Sequence, residues 1–173
     1  FVLGPARWRL NPSYAPPFLM RALAGGGDER WRQMHASALR ILHGSSPRGF
    51  APDWVDYAGD GAEGTPRARF QLEGAEARRR TGSYDAIRVY LWVGMTAAAD
   101  PERAPLLARF APMADRTEGL GAPPEEVDAG DGSVRDARTG PPGFSAALLP
   151  FLAALGRTAA LQRQSRRLQE QAP

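Results

Sequence analysis

Proline and glycine set the scale of what this chain can fold into. Its 173 residues include 16 prolines and 19 glycines, spread so that every apolar stretch is cut before it grows long. Inside a helix, proline removes a hydrogen bond and clashes with the preceding turn, while glycine ends helices readily because it has no Cβ. The chain therefore reads as short helical blocks joined by long loops. No internal repeat shows at solenoid periods, and no apolar run approaches the ~20 residues needed to span a bilayer. With 43% hydrophobic and 24% charged residues, it is one ordinary globular domain or a piece of a larger one. A compact chain of this length buries about 70% of its unfolded surface, so its stability calls for neither metal nor disulfide. The absence of cysteine removes disulfides, thiolate nucleophiles and zinc–cysteine sites. The opening Phe1-Val2-Leu3-Gly4 lacks the succession of a signal peptide and reads as a mature or clipped segment.

Helix signals follow in order. Ser13 stands as a cap with Pro16 in the first turn, predicting a helix to about Ala24 that Gly25-Gly26-Gly27 ends. Asp28 caps a second, with Trp31, Met34, Ala38, Leu39 and Leu42 at helical spacing. From Ser45 to Arg69 the chain is loop-like, and Phe70-Gln71-Leu72 makes at most a short strand. Ser83 predicts a cap for Tyr84 to about Met95. Asp100-Pro101-Glu102 opens a helix that Pro112 is expected to break or kink. Gly130-Asp131-Gly132 is placed to turn a small hairpin. Ser145–Leu155, with Pro150 inside, and the amphipathic Thr158–Gln169 complete a mainly α chain.

The net charge of +3 and pI near 9.9 invite a nucleic-acid reading. However, every basic residue is arginine, and only Arg78-Arg79-Arg80 forms a run. A nucleic-acid binder concentrates such charge on one face among aromatics, which this chain does not do. His35 and His43 lie too far apart on one helix to share a metal. Without lysine there is no phosphate loop, and no Gly-x-Ser-x-Gly elbow occurs.

Chemistry concentrates in Ser83-Tyr84-Asp85-Ala86-Ile87-Arg88-Val89-Tyr90-Leu91-Trp92. Positions 85, 88 and 92 share a helical face, so an acid, a guanidinium and an indole converge in an apolar helix. At the helix start the dipole favours an ionised Asp85, which suits a base rather than an acid. The same spacing also fits an Asp85–Arg88 ion pair that serves packing alone. Asn11-Pro12-Ser13-Tyr14 sets a tyrosine at a helix entrance, as a functional group or as a cap with a core ring. Pro52-Asp53-Trp54-Val55 sets an acid beside an indole, an arrangement that holds sugar rings or plugs a core. Gly140-Pro141-Pro142-Gly143-Phe144-Ser145 reads as structural.

These stretches, together with Val93-Gly94-Met95 and Gly143-Phe144-Ser145-Ala146-Ala147-Leu148-Leu149-Pro150-Phe151-Leu152, occur in an order that resembles glycoside hydrolase family 8. The likeness leans toward the endo-β-1,4-glucanases that accompany bacterial cellulose synthases, and it thins after about Arg157. It implies an all-α fold, a partial (α/α)6 barrel with long loops and a small hairpin, whose cleft takes a cellulose or cello-oligosaccharide chain. It implies hydrolysis of β-1,4-glucan with inversion, a protonated Glu serving the leaving oxygen and an Asp activating water. Asp85 matches that general base. Tyr84 and Arg88 match its flanking residues and Tyr14 a tyrosine near the attacked sugar, with Trp54 as a further substrate-binding residue. No cofactor or metal is implied, since two carboxylates and a water suffice.

The family's acid lies in a Ser-Glu-Gly-like motif near the start of the barrel; no Ser-Glu-Gly occurs here, and the glutamates present, Glu118 of Thr117-Glu118-Gly119 among them, lie in unrelated contexts. Residues 1–173 thus read as the central to C-terminal portion of one barrel domain, with the N-terminal portion and last helices missing. Such a portion is expected to expose apolar helix faces and to be inactive alone. The resemblance also implies a periplasmic or secreted protein and a functional link to a cellulose synthase complex. The alternatives are a non-catalytic saccharide-binding or assembly module and a family 8 xylanase or chitosanase.

Overall fold

Six helices carry the computed structural model, which describes residues 1–60, 67–72 and 80–171. Helices α1 (Pro17–Ala24) and α2 (Glu29–Ser45) pack on each other. Asp28 caps α2 as the sequence predicts, its carboxylate accepting the Arg30 N–H at 2.9 Å. The entry to α1 differs from the prediction, because a 3-10 turn, Pro12–Tyr14, comes first and Pro16 takes the cap position. The Asn11 side-chain oxygen accepts both the Ser13 N–H at 2.9 Å and the Ser13 hydroxyl at 2.7 Å. The side chain expected to cap α1 is thereby committed to Asn11.

Helix α3 (Ile87–Met95) starts later than the sequence predicts, and a tight turn over residues 83–86 leads into it. Ser83 does not cap α3 with its side chain, since its hydroxyl donates to the Glu125 carbonyl at 2.6 Å. Helix α4 (Arg103–Leu120) passes through Pro112 instead of breaking there. An interior proline costs about 3 kcal/mol, but Leu106, Phe110, Met113, Ala114 and Thr117 are all buried along α4. Burial of large apolar side chains gives about 1.5–3 kcal/mol each, so packing on both sides of the proline outweighs the lost hydrogen bond. Pro150 is tolerated in the same way inside α5 (Pro142–Ala154), next to buried Leu148, Phe151 and Leu152. The amphipathic α6 (Thr158–Glu170) closes against α5.

Two small antiparallel sheets lie outside the all-α expectation. Strands β1 (Val2–Gly4), β2 (Arg7–Leu10), β3 (Val55–Ala58) and β4 (Arg69–Gln71) pair in chain order. The stretch expected to be loop from Ser45 to Arg69 thus contains a strand. Arg9 sits opposite Asp56 in the register, and its guanidinium donates to both carboxylate oxygens, at 2.7 and 3.0 Å. Rings of Trp8 and Tyr57 pair across β2 and β3, and Tyr57 meets Phe70 of β4 at 4.9 Å between centroids. The second sheet pairs β5 (Thr81–Gly82) with β6 (Val127–Asp128). The expected hairpin is present beyond β6, where Asp128 N–H donates to the Ser133 carbonyl and Gly132 N–H to that of Asp128. Arg78 and Arg79 lie outside the described residues, and Arg80 pairs with Asp128 at 2.8 Å.

The core is built around α3. Val89, Tyr90 and Val93 are buried against α4 and α5, with the Tyr90 ring 5.7 Å from both Phe110 and Phe151. Gly94 allows α3 to come that close to α5: a Cβ there would lie 2.3 Å from the Phe151 nitrogen and 2.5 Å from the Pro150 carbonyl carbon. Apolar side chains exposed to solvent include Phe1, Val2 and Leu3 on the N-terminal segment, Leu19 and Leu23 on α1, Met34 on α2 and Met95 at the end of α3. No described helix is long and apolar enough to cross a membrane.

Candidate active site

Three sequence-distant segments meet at the start of α3: the Asn11–Tyr14 turn, the loop carrying Asp53 and Trp54, and the turn at residues 83–86. Asp85 stands where they meet, with its side chain 28% exposed. It lies just before α3 rather than in its first turn. The Arg88 Nη2 donates to Asp85 Oδ1 at 2.5 Å, and Asn11 Nδ2 donates to Asp85 Oδ2 at 2.9 Å. Asn11 cannot turn away, because its other terminus accepts the two donors of Ser13.

The predicted convergence of residues 85, 88 and 92 is realised on that turn. Arg88 Nη2 also donates to Ser13 Oγ at 2.9 Å, and Trp92 Nε1 donates to the Ser13 carbonyl at 2.9 Å. Arg88 is therefore tied to another part of the chain as well as to Asp85, which the packing-only ion pair would not require. Its guanidinium carbon lies 5.9 Å from the centre of the Tyr14 ring, within cation–π range.

The aromatic residues fall into two groups. Tyr14 and Tyr84 are 63% and 58% exposed, large flat surfaces beside the carboxylate. Trp54 is half-buried and meets Tyr14 edge-on at 5.6 Å and Phe1 at 5.4 Å. Tyr84 packs edge-on against Phe144 at 5.1 Å, and its hydroxyl lies 3.4 Å from Glu125 Oε1. The Gly140–Ser145 entrance to α5, read as structural, thus places Phe144 under a site residue. All five residues singled out for a site, Tyr14, Trp54, Tyr84, Asp85 and Arg88, belong to this one cluster.

Sequence reasoning placed Asn11, Ser13 and Asp53 in the motifs it singled out, but did not foresee their hydrogen bonds to Asp85, Arg88 and the 83–86 turn. Asp53 Oδ1 accepts the main-chain N–H groups of Ser83, Asp85 and Ala86 at 2.9, 3.0 and 2.7 Å. Burial pushes its carboxyl above the ordinary value of 3.8, with the three amides opposing and the Asp85 charge adding to the rise. Burial likewise pushes the Tyr90 phenol up, keeping it neutral, and its oxygen accepts the Ala51 N–H at 3.1 Å. Among the described residues, no group of three or more His, Asp or Glu gathers as metal ligands would. The arrangement offers a partly exposed carboxylate held through both oxygens, with exposed aromatic surfaces next to it.

Residues 4–167 match the model of Glycosyl hydrolases family 8. The chain is 48% identical over 157 residues to an endoglucanase of Salmonella typhi and 42% identical over 165 residues to one of Xanthomonas axonopodis pv. citri. Those alignments take in 91% and 94% of this chain, which spans 39% of the length of each relative. An endo-1,4-D-glucanase of Vibrio fischeri superposes with a TM-score of 0.85 at 32% identity, covering 100% of this chain and 47% of its own. An endoglucanase of Komagataeibacter sucrofermentans does so with 0.63 at 27% identity, covering 99% and 54%. Such neighbours are (α/α)6 barrels, and the six helices here are part of such a barrel, the sheets being minor additions.

Proposed function

Because the chain belongs to glycosyl hydrolases family 8, we propose that it supplies the general-base side of an endo-β-1,4-glucanase that hydrolyses β-1,4-glucan with inversion. The observation that carries the reading is Asp85, gripped at both oxygens by Arg88 and Asn11 beside the exposed rings of Tyr14 and Tyr84. In this reaction Asp85 takes a proton from water as the water oxygen bonds to the anomeric carbon. The glycosidic C–O bond breaks on the opposite face, where a carboxylic acid protonates the leaving oxygen. In inverting enzymes the two carboxyl groups stand about 6.5–9.5 Å apart, which leaves room for the water. The acid is a glutamate of the motif that these 173 residues do not contain.

Arg88 fixes the orientation of the base. Tyr14, Tyr84 and Trp54 form the sugar-binding surface, since aromatic faces with polar tips suit the apolar faces and hydroxyls of glucose rings. The substrate is a cellulose or cello-oligosaccharide chain. The protein is periplasmic or secreted and acts with a cellulose synthase complex, a reading supported by the motifs Asn11–Tyr14 and Ser83–Met95; release of the protein by osmotic shock checks the location.

The deciding experiment is reducing-end release from carboxymethylcellulose by the full-length protein, with and without Asp85→Asn. Turnover lost in the variant, with cello-oligosaccharide binding kept, supports the base assignment. Turnover that survives means another group is the base. A full-length protein that binds glucan but never cleaves it is a saccharide-binding module instead.

A further inference from the structure

Every polar atom of Asp85 has a partner. Arg88 and Asn11 hold the side-chain oxygens, the Asp85 carbonyl accepts the Arg88 N–H at 3.2 Å, and its own N–H donates to Asp53. Asp53 is thus the group that holds the main chain of this residue from outside its own turn. Its Oδ1 gathers three N–H groups of the turn that leads into α3, those of Ser83, Asp85 and the cap residue Ala86. Ala86, at the cap position of α3, makes no side-chain cap bond, so the cap comes from a residue 33 positions earlier.

The loop carrying Asp53 is itself fixed from two directions. Its N–H donates to the Thr81 carbonyl of β5 at 2.8 Å, and the Ala51 N–H donates to the buried Tyr90 hydroxyl at 3.1 Å. The loop also lies closer to the end of β5 than a side chain would permit: a Cβ at Gly82, next to the turn, would lie 1.9 Å from the Ala51 carbonyl oxygen. The carboxylate therefore sits on a rigid frame joining the core helix, the small sheet and the turn.

We propose that Asp53 is a positioning residue for the hydrolysis, holding the 83–86 turn so that Asp85 meets the water in line. The inference rests on the reading of Asp85 as general base. Asp53 acts as a hydrogen-bond acceptor, through geometry rather than charge. A misplacement of about 1 Å lowers a rate by up to about 100-fold, and loss of the cap releases three hydrogen bonds at the turn.

The test uses the full-length enzyme on carboxymethylcellulose, with Asp53→Ala, Asp53→Asn, Asp85→Asn and the double variant Asp53→Ala/Asp85→Asn. Asp53→Ala removes the acceptor and is expected to lower kcat by about 10- to 100-fold while KM changes little. Asp53→Asn keeps an amide oxygen facing the turn and is expected to restore kcat to within about 3-fold of wild type. In the Asp85→Asn background, Asp53→Ala is expected to add no further loss to the residual rate, because it acts through the missing group. If Asp53→Ala keeps kcat, or if Asp53→Asn falls as far as Asp53→Ala, the inference is overturned. Should Asp53→Ala not fold, as judged by circular dichroism, the Asn variant decides: kcat within about 3-fold of wild type supports the inference, and a loss of about 10-fold or more overturns it. Failure of the underlying reading looks different: Asp85→Asn then retains turnover whatever the Asp53 variants do.

Discussion

Gly94→Ala measures how much of the site's rigidity comes from the approach of α3 to α5. The added methyl would stand 2.3 to 2.6 Å from the nitrogen and Cα of Phe151 and the carbonyl carbon of Pro150, all main-chain atoms that cannot swing aside. Carbon contacts settle at about 3.5–4.0 Å, so the helices must part by about 1 Å or more. A gap of that size forfeits a large share of the dispersion contacts between Val89, Tyr90 and Val93 on one side and Leu148, Phe151 and Leu152 on the other. Overpacking of this kind costs about 1–3 kcal/mol, and a backbone clash belongs at the upper end. Opposing it, alanine gains about 1 kcal/mol over glycine in a helix. The expected net loss is about 2 kcal/mol. Gly119→Ala in α4 is the control, because a Cβ there meets nothing within 4 Å, and it should gain about 0.4–1 kcal/mol. Urea unfolding of the full-length protein, followed by circular dichroism, should place the two midpoints on opposite sides of wild type. Equal midpoints would refute the claim that the α3–α5 contact is too close for a side chain.

Tyr90→Phe leaves the ring packing between Phe110 and Phe151 but strips the Ala51 N–H of its acceptor. A buried unpaired donor costs about 1–3 kcal/mol, which a lower urea midpoint would register; an unchanged midpoint would mean that the loop does not depend on this bond. Asp53 predicts a pH effect of definite sign. Its folded carboxyl binds a proton more tightly than the ordinary 3.8, so the folded state holds more protons, and stability falls as pH rises from 3.8 through the raised folded value. The wild-type urea midpoint minus that of Asp53→Asn should fall as pH rises across that window, and a rise in this difference would invert the account.

What the sequence made legible followed from the range of each interaction. Asp85 and Arg88 are three apart, so their pairing could be read from helical spacing, and the boundaries of α2 and α6 followed from caps and periodicity. Asn11 reaches Asp85 across 74 positions and Asp53 reaches Ala86 across 33, distances at which no local pattern operates. The four-stranded sheet escaped for the same reason. Its strands are three or four residues long, too short for alternation to show, and its pairs, such as Arg9 with Asp56, join residues 47 apart. Capping predictions failed where the hydroxyl expected to cap was taken by another partner. Ser13 and Ser83 are plausible caps locally, but Asn11 claims one and the Glu125 carbonyl claims the other. Pro112 misled because its local cost is outweighed by burial that only the folded chain reveals.

Two neighbouring carboxylates with opposite duties emerge from these contacts. Asp53 spends one oxygen on three main-chain donors, more than the two lone pairs of that atom accommodate singly, so that oxygen has no capacity left for a water proton. Asp85 receives one donor on each oxygen, from Arg88 and Asn11 among the described residues, which leaves a lone pair on each for a water. Asp53 faces into the backbone frame, and Asp85 is partly open to solvent beside the exposed rings of Tyr14 and Tyr84. Identical side chains thus divide into a holder and a candidate base by what surrounds them. A chain that placed its base on an unframed loop would leave its position to thermal motion; here the core helix, through Tyr90 and Arg88, determines where both carboxylates stand.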